Sequence, residues 1–332
     1  MFLRIGEDMG EPKKDLKKKL RNIPELPGIY KMLDSHGNII YVGKSKCLKR
    51  RVRSYFTKDH KWEKINKLVA LIHDIDFTVT DTHLEARLLE CELIKTIKPF
   101  FNSQMKNDRN YVYLQVKEYN KFNALAVENE RMENSFGPFR NRYKLILMID
   151  LLNNLYPISF DGSNFNFEHN IFPLIMDRDT FDDNKRILLS LFTDDFNLAL
   201  FISQLEEKMK EAANNYKYEL ASLYRDMINC LEYVRYGING YKELFSKRLV
   251  LKIQITDGIK LFYVNKGKIL LTKKYKRLSQ LNKYIDIFIE KGNAIRYKNP
   301  IEQDDKVAID YRDILYSEIN GFTEDMIISI DD

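Results

Sequence analysis

The chain has 332 residues and a mass of 39.5 kDa; 44% of its residues are hydrophobic, 31% are charged, and its formal net charge is +6. This length and apolar content exclude a disordered or fibrous protein and predict two or three domains. Because the sequence contains neither the ~18 consecutive apolar residues of a membrane span nor a signal peptide, we expect a cytoplasmic protein without a membrane partner.

The first hundred residues alternate between helical and strand patterns. In chain order the predicted elements are a helix over Pro12–Arg21 in a basic leader (residues 1–23), strands over Gly28–Leu33 and Ile39–Gly43, helices over Lys46–Phe56 and Trp62–Ile72, a strand over Ile75–Thr80, and a helix up to Lys98. The last helix opens with the capping-box pattern Thr82-x-x-Glu85 and is stopped by Pro99. Residues 24–105 are therefore expected to form a small domain in which helices flank a three-stranded antiparallel sheet.

In the rest of the chain the predicted secondary-structure pattern changes twice. Residues 106–196 are predicted to form an α/β middle region, with strands over Val112–Val116 and Ala124–Val127 and a helix over Tyr143–Leu155. Residues 197–236 are predicted to form a helical hairpin that turns at Asn214-Asn215. Residues 237–332 are predicted to form a β-rich carboxy-terminal region, with strands over Leu249–Ile255, Leu261–Val264 and Lys268–Thr272 and a helix over Leu278–Lys291. The fold class expected for the whole chain is α+β.

Positive charge is concentrated near the amino terminus. Residues 11–53 contain thirteen Lys and Arg against four Asp and Glu, so the remaining chain is net negative. The helix over Lys46–Phe56 combines these cations with apolar residues, a pattern typical of helices that follow phosphate groups. The candidate phosphate-contacting residues are Lys46, Lys49, Arg50 and Arg53. A solvated lysine face remains an alternative, since charge alone does not identify the partner.

Helical geometry singles out Glu90. At 100° per residue, this acid lies within an apolar stripe formed by Ala86, Leu93, Ile94 and Ile97. A buried carboxylate costs several kcal/mol unless it is paired or binds a cation. A salt bridge to a nearby arginine and a metal site are therefore both open. Arg51 and Tyr55, which border the buried stripe of the basic helix, are candidates to lie nearby.

Two triplets resemble the signature of the GIY-YIG nucleases. They are Gly28-Ile29-Tyr30 and Tyr41-Val42-Gly43, with ten residues between them. The continuation strengthens the match through Lys44-Ser45-Lys46, Arg51-Val52-Arg53-Ser54-Tyr55-Phe56, Leu89-Glu90 and Pro99-Phe100-Phe101-Asn102. It resembles the amino-terminal nuclease domain of the C subunit (UvrC) of the bacterial UvrABC excinuclease. The positions that the resemblance marks as functional are Tyr30, Tyr41, Gly43, Lys44, Arg51, Tyr55, Glu90 and Asn102.

The resemblance implies a metal-dependent hydrolysis of a phosphodiester. One Mg²⁺ or Mn²⁺ ion would be held by Glu90 and water, and Arg51 would clamp the phosphate. Tyr30, helped by Tyr41, would orient and deprotonate the attacking water, with Lys44 and the metal ion lowering the phenol pKa. Gly43 would let the backbone approach DNA, and Asn102 would orient its neighbours.

The helical hairpin resembles the UVR motif, through which UvrC docks on UvrB, its partner in the excinuclease. The implied partner-binding residues are Met209, Ala212, Tyr218, Glu219, Arg225 and Asp226. A partner hairpin that packs with crossed charges is the implied binding mode. The segment Phe136-Gly137-Pro138-Phe139 also resembles a motif of the excinuclease middle region.

Two departures from the family limit the prediction. No cysteine lies between Cys91 and Cys230, so we expect no iron–sulfur cluster, and we interpret the three isolated cysteines, Cys47 included, as packing residues. All five histidines precede residue 170, so a second, RNase H-like active site is not expected and residues 237–332 are at most a remnant of that fold.

The expected function is therefore a structure-directed DNA endonuclease that makes one incision in damaged double-stranded DNA during nucleotide excision repair, recruited by UvrB. A non-catalytic adaptor that binds UvrB and a stand-alone GIY-YIG nuclease are the alternatives.

Overall fold

The computed structural model describes residues 14–56, 63–106, 111–119, 123–240, 244, 246–276, 279–295, 306 and 308–330. These residues divide into two compact units. The first unit draws on the described residues among positions 1–107, 247–300 and 310–332, and the second on those among positions 108–246 and 301–309. The predicted helix over Pro12–Arg21 and the predicted helix from Trp62 both begin outside the described residues.

The amino-terminal part of the first unit contains the predicted three-stranded antiparallel sheet. Its elements are α1 (Lys14–Asn22), β1 (Gly28–Leu33), β2 (Ile39–Ser45), α2 (Leu48–Ser54), α3 (Glu63–Leu71), β3 (Asp74–Val79) and α4 (His83–Ile97). The strand order is β2-β1-β3, with β1 in the centre. The turn between β1 and β2 is fixed by Asp34, whose Oδ1 accepts hydrogen bonds from the amides of His36 and Asn38. The predicted fold class is confirmed here.

The capping box that opens α4 forms as the sequence predicts. The Thr82 hydroxyl accepts a hydrogen bond from the Glu85 amide at 3.2 Å, and Glu85 Oε2 accepts one from the Thr82 amide at 3.1 Å. The helix ends at Lys98, which takes a left-handed conformation (φ 53°) directly before Pro99.

The buried face of α4 differs from the predicted stripe. Its buried residues are Leu84, Ala86, Cys91 and Ile94. Leu93 is half-buried and Ile97 is exposed, so Glu90 lies at the edge of the buried face and not in its middle. A position at this edge gives a carboxylate contact with solvent on one side.

The second unit contains the middle region and the helical hairpin. Its elements are β4 (Val112–Val116), β5 (Leu125–Glu128), β6 (Ser135–Phe139), α5 (Arg142–Asn153), β7 (Ser159–Phe160), β8 (Phe165–Asn166), α6 (Arg178–Thr193), α7 (Asp195–Asn214) and α8 (Tyr218–Asn239). The three longer strands form an antiparallel sheet in the order β5-β4-β6. Neither β6 nor α6 was predicted from the sequence. The motif Phe136-Gly137-Pro138-Phe139 lies on β6, and Phe139 is buried.

The hairpin α7–α8 shares one apolar core with the middle region. Leu205 and Leu231 of the hairpin belong to the same cluster of buried side chains as Leu114 of β4 and Leu152 of α5. In addition, the Tyr233 hydroxyl of α8 accepts hydrogen bonds from two backbone amides at the start of α5. The apolar stripe of the hairpin is therefore largely used inside its own unit.

The carboxy-terminal part of the first unit is a four-stranded antiparallel sheet with two helices. Its elements are β9 (Arg248–Ile255), β10 (Gly258–Asn265), β11 (Lys268–Tyr275), α9 (Leu281–Asn293), α10 (Ile309–Ile319), a 3₁₀ turn (Glu324–Met326) and β12 (Ile327–Ser329). The strand order is β11-β10-β9-β12. The three predicted strands and the helix α9 are present, although the predicted start of this helix at Leu278 lies outside the described residues. The helix α10 and the strand β12 were not predicted. Phe288 of α9 and Tyr263 of β10 belong to one cluster of buried side chains in this region.

Among the described residues, no single helix is both long and apolar enough to cross a membrane, although α6 and α7 reach that length and composition together across a 105° bend.

Candidate active site

Three tyrosines converge on one face of the amino-terminal sheet. Tyr30 of β1, Tyr41 of β2 and Tyr55, the C-cap of α2, have ring centroids 6.0 to 6.3 Å apart. The hydroxyls of Tyr30 and Tyr55 are hydrogen-bonded at 3.0 Å. Tyr30 and Tyr41 meet because Tyr30 pairs with Gly43, two residues beyond Tyr41, and alternate residues of a strand share a face.

Gly43 makes room for the Tyr30 ring. A Cβ at this position would lie 2.5 Å from Tyr30 Cζ, inside any allowed contact distance. The Tyr30 ring is therefore one reason why this position holds glycine, and an approach of the Gly43 backbone to DNA stays a prediction.

A Gly43→Ala substitution is expected to destabilise the protein by about 1–3 kcal/mol, as an overpacked core does, and to displace Tyr30. Thermal or urea unfolding measures the loss. Gly321→Ala is the control, because an added Cβ there would lie no closer than 3.4 Å to any neighbouring atom. Equal stability of the two variants would contradict the packing role of Gly43.

Arg51 places a cation above the tyrosine cluster. Its Nη2 donates a hydrogen bond to the Tyr55 hydroxyl at 3.1 Å, and its Cζ lies 4.9 Å from the Tyr55 ring centroid. The two residues lie one helical turn apart, so α2 itself sets this geometry. Because Arg51 is exposed, its guanidinium keeps donors available to a phosphate.

Glu90 is held beside the tyrosine cluster by the backbone of β2. The Lys44 amide donates to Glu90 Oε1 at 3.1 Å. Burial raises the pKa of Glu90, while the charges of Lys44, Arg87 and Arg51 act in the opposite direction. Within the described residues no Lys or Arg lies within ion-pair distance of this carboxylate, so the salt-bridge alternative is not what the structure shows.

The carboxylate of Glu90 fits a hard divalent cation. Its Oε2 accepts no hydrogen bond from the described part of the chain, and the same residues contain no cluster of three or more His, Cys, Asp or Glu side chains that could bind a metal. Mg²⁺ binds through one or two carboxylates and retains several waters, so a single oriented carboxylate is a suitable anchor.

The tyrosine pKa values run against the predicted activation by Lys44. Burial, followed by the neighbouring phenols, raises the pKa of both Tyr30 and Tyr41 above the ordinary value for tyrosine. Burial also lowers the pKa of Lys44. In the protein alone both phenols are therefore protonated at neutral pH, and their activation by Lys44 together with a metal ion stays a prediction.

Asn102 ties the segment after α4 to β2. Its side chain accepts a hydrogen bond from the Val42 amide at 2.9 Å and donates one to the Val42 carbonyl at 2.8 Å. Val42 lies between Tyr41 and Gly43, so this buried amide fixes the strand that presents the site. The geometry agrees with an orienting role for Asn102.

The four cations predicted to contact phosphate differ in whether they already bind other residues of the chain. Lys49 forms an ion pair with Glu25 at 2.9 Å, and Arg53 Nε donates to the Leu20 carbonyl of α1 at 3.4 Å. Lys46 and Arg50 are exposed and make no hydrogen bond or ion pair with the described residues. Two of the four candidate phosphate contacts thus already bind within the chain.

The hairpin residues that were predicted to bind a partner are partly buried and partly exposed. Ala212 is 5% exposed and Met209 is half-buried, so both lie within the hairpin core and the prediction of a partner contact at Ala212 is corrected. Tyr218 is 65% exposed, Glu219 is exposed, and Arg225 pairs with Asp226 on the surface of α8.

One exposed aromatic at the turn of the hairpin was not predicted from the sequence. Tyr216 is 81% exposed and has a φ of 60°, and its ring centroid lies 6.3 Å from that of Tyr218. The signal in the sequence was its spacing of two residues from Tyr218, directly after Asn214-Asn215.

Two family models match separate parts of the chain. Residues 26–103 match the family model described as a UvrC-like GIY-YIG domain, and residues 200–234 match the UvrB/uvrC motif. The UvrABC system protein C of Acetivibrio thermocellus is 31% identical over 282 residues, which are 77% of this chain and 44% of that protein. The homologous protein of Hydrogenovibrio crunogenus is 33% identical over 240 residues, 67% of this chain and 38% of that protein. The chain thus spans less than half the length of these curated relatives.

Among solved structures, the GIY-YIG amino-terminal endonuclease domain of UvrC from Thermotoga maritima, bound to its catalytic divalent cation magnesium, is 34% identical. The match covers 27% of this chain and 99% of that domain, with a TM-score of 0.26.

Proposed function

Because the chain is a homologue of UvrABC system protein C, with a UvrC-like GIY-YIG domain and a UvrB/uvrC motif, we propose that it is a metal-dependent DNA endonuclease of nucleotide excision repair. In this proposal it makes a single incision in damaged double-stranded DNA. The observation that carries the proposal is the position of Glu90, a carboxylate without an ion-pair partner among the described residues, beside three clustered phenols and Arg51.

The residues of the site supply positioning and charge for hydrolysis of the phosphodiester. Glu90 would hold a divalent cation, whose positive charge would offset the negative charge developing on the phosphate oxygens. Arg51 binds the phosphate with donors that Tyr55 does not use. The phenols of Tyr30 and Tyr41 orient the attacking water, and Asn102 holds β2 in register behind them.

We propose that the cation is Mg²⁺ or Mn²⁺, bound as one ion. The support is chemical: a single carboxylate with room for water suits Mg²⁺ and Mn²⁺, which prefer oxygen ligands. With Glu90 as the protein ligand, water would supply most of the remaining coordination sphere.

We further propose that the hairpin recruits the protein to UvrB. The match to the UvrB/uvrC motif supports this partner. Because the apolar stripe of the hairpin is buried in its own unit, the binding surface is expected at the exposed end, formed by Tyr216, Tyr218 and Glu219 with the Arg225–Asp226 pair on α8.

A nicking assay tests the proposal. The protein is incubated with UvrB and an end-labelled duplex that carries one lesion, with Mg²⁺ or with a chelator. We expect one incision that requires Mg²⁺, the lesion and UvrB. Binding of UvrB without incision would support the adaptor alternative, and incision without UvrB would support a stand-alone nuclease; either result would overturn the proposal.

Removing the positive charges of Lys46, which precedes α2, and of Arg50, which lies on α2, is expected to weaken DNA binding. In the double variant Lys46→Gln/Arg50→Gln, the slope of log K against log salt should become less negative by up to about 0.9 for each lost phosphate contact. Binding titrations between low and moderate salt measure this slope. Lys64→Gln/Lys67→Gln on α3 is a control of equal charge change. An equal effect of both double variants would contradict a specific DNA-binding face on α2.

A further inference from the structure

The amino-terminal end of α4 is bound by lysines from the carboxy-terminal sheet. Lys260 of β10 forms ion pairs with Asp81, at 2.8 Å, and with Glu85. Lys274 of β11 pairs with Asp81 at 2.9 Å and with Asp257 at 2.8 Å. Lys260 and Lys274 lie directly opposite each other across the two strands, an arrangement that repels unless acids neutralise it. The sheet is therefore complementary in charge to the start of α4.

Further along α4, α10 supplies acids to the basic residues of the helix. Glu318 Oε1 accepts a hydrogen bond from Arg87 Nη1 at 2.8 Å and lies 3.0 Å from His83 Nδ1. Asp310 pairs with Lys95 at 2.8 Å. Both ends and the middle of α4 are thus held by residues more than 160 positions away in the sequence.

Arg87 is the cation that matters for the candidate metal site. It precedes Glu90 by three residues, so the two side chains are neighbours on the surface of α4. The positive charge of Arg87 therefore lies close to the Glu90 carboxylate. An unrestrained arginine at this spacing would form the ion pair with Glu90 that the sequence alone left open.

We propose that Glu318 is a positioning residue that holds Arg87 away from Glu90 and so keeps the Glu90 carboxylate available to a divalent cation. The inference rests on the proposed function, because it concerns the same metal site. It assigns a role in that site to the carboxy-terminal region, which the GIY-YIG match does not include.

The surroundings of Glu318 suit this role. The side chains of Glu318 and Arg87 are 14% and 20% exposed, so solvent and salt screen their interaction less than that of a surface pair. Burial acts to raise the pKa of Glu318, but the hydrogen bonds from His83 and Arg87 outweigh it and lower the pKa to about 2. Glu318 is therefore charged across the pH range in which the metal would bind.

The affinity of the full chain for Mn²⁺, measured by electron paramagnetic resonance or calorimetry, tests the proposal without an activity assay. Glu318→Gln keeps the size of the side chain and can still accept a hydrogen bond, but it removes the charge and so weakens the hold on Arg87. We expect its Mn²⁺ affinity to fall about fivefold, the upper range for a partly exposed ion pair. In the double variant Arg87→Gln/Glu318→Gln, which lacks the competing cation, the affinity should return to the wild-type value or above.

Lys274→Gln is the matched control, since it breaks another ion pair of the same contact far from Glu90, and it should leave the Mn²⁺ affinity unchanged. An unchanged Mn²⁺ affinity in Glu318→Gln would overturn the proposal. The proposal would also fail if the affinity fell in Glu318→Gln and stayed low in the double variant, because that result would indicate only a loosened contact between α4 and α10. Failure of the wild-type chain to bind Mn²⁺ would instead overturn the proposed function.

Discussion

Replacing Glu90 with Gln is expected to lower the rate of metal-dependent incision by on the order of 10³-fold or more and to abolish Mn²⁺ binding at this site. Glutamine has the size of glutamate, and its Oε1 can still accept the hydrogen bond of the Lys44 amide. The variant therefore loses only the charge that we propose anchors the cation. A bound metal ion stabilises a transition state by several kcal/mol, and each 1.36 kcal/mol is about tenfold in rate. Rates on an end-labelled duplex and Mn²⁺ titration measure the two effects.

Glu92→Gln provides the control on the same helix. Glu92 is exposed, and its removal changes the charge of α4 by the same amount two residues away. This variant should retain both incision and Mn²⁺ binding. If Glu90→Gln incises at the wild-type rate, Glu90 is not the metal anchor.

Replacing Arg51 with Ala is expected to lower the incision rate by about 10² to 10³-fold, the usual effect of removing one preorganised donor from a charge-stabilising site. Arg51 is exposed, and its contacts with Tyr55 are one hydrogen bond and the approach of its guanidinium to the ring, so the fold should lose little stability. Because the lost interaction strengthens as charge builds on the phosphate, kcat should fall while Mn²⁺ affinity is unchanged.

Arg50→Ala separates this effect from general loss of positive charge. Arg50 is exposed on the same helix and makes no hydrogen bond or ion pair with the residues that the structure describes. Its removal should weaken DNA binding with little change in kcat. A variant of Arg51 that loses only DNA affinity, as Arg50→Ala should, would show that Arg51 does not act in the chemical step.

Local structure near the site was predictable from the sequence because it depends on residues close together in the chain. The capping box of Thr82 and Glu85 and the stop at Pro99 set α4 to within a residue. The hairpin of β1 and β2 followed from its polar turn and its strand pattern. Arg51 and Tyr55 were expected to neighbour each other from their spacing on α2, and the structure joins them by a hydrogen bond.

Partners from distant parts of the chain were not predictable from periodicity. The ion pairs of Lys49 with Glu25, and of Arg87 with Glu318, depend on tertiary packing that leaves no repeat in the sequence. The packing of Tyr30 over Gly43 required the register of the two strands. The short strand β12 pairs with β9 almost 80 residues earlier, and three residues carry too little pattern to be recognised.

Charge counted over the whole chain also concealed a local feature. From the sequence, the positive surplus was assigned to the amino terminus, yet residues 247–298 contain fourteen Lys and Arg against three Asp and Glu. The acids that offset this surplus lie elsewhere in the chain, and two of them, Asp81 and Glu85, bind Lys260 directly. Net charge is therefore informative here only when it is assigned to a structural unit.

The most direct measurement is an anomalous difference map from crystals of the wild-type chain soaked in Mn²⁺. We expect one peak within bonding distance of the Glu90 carboxylate, about 2.0–2.3 Å, with water completing the coordination sphere and Arg51 and the Tyr30 hydroxyl facing the same space. A Glu90 carboxylate without a peak, or paired with Arg87 in the presence of saturating Mn²⁺, would contradict a metal site at this residue.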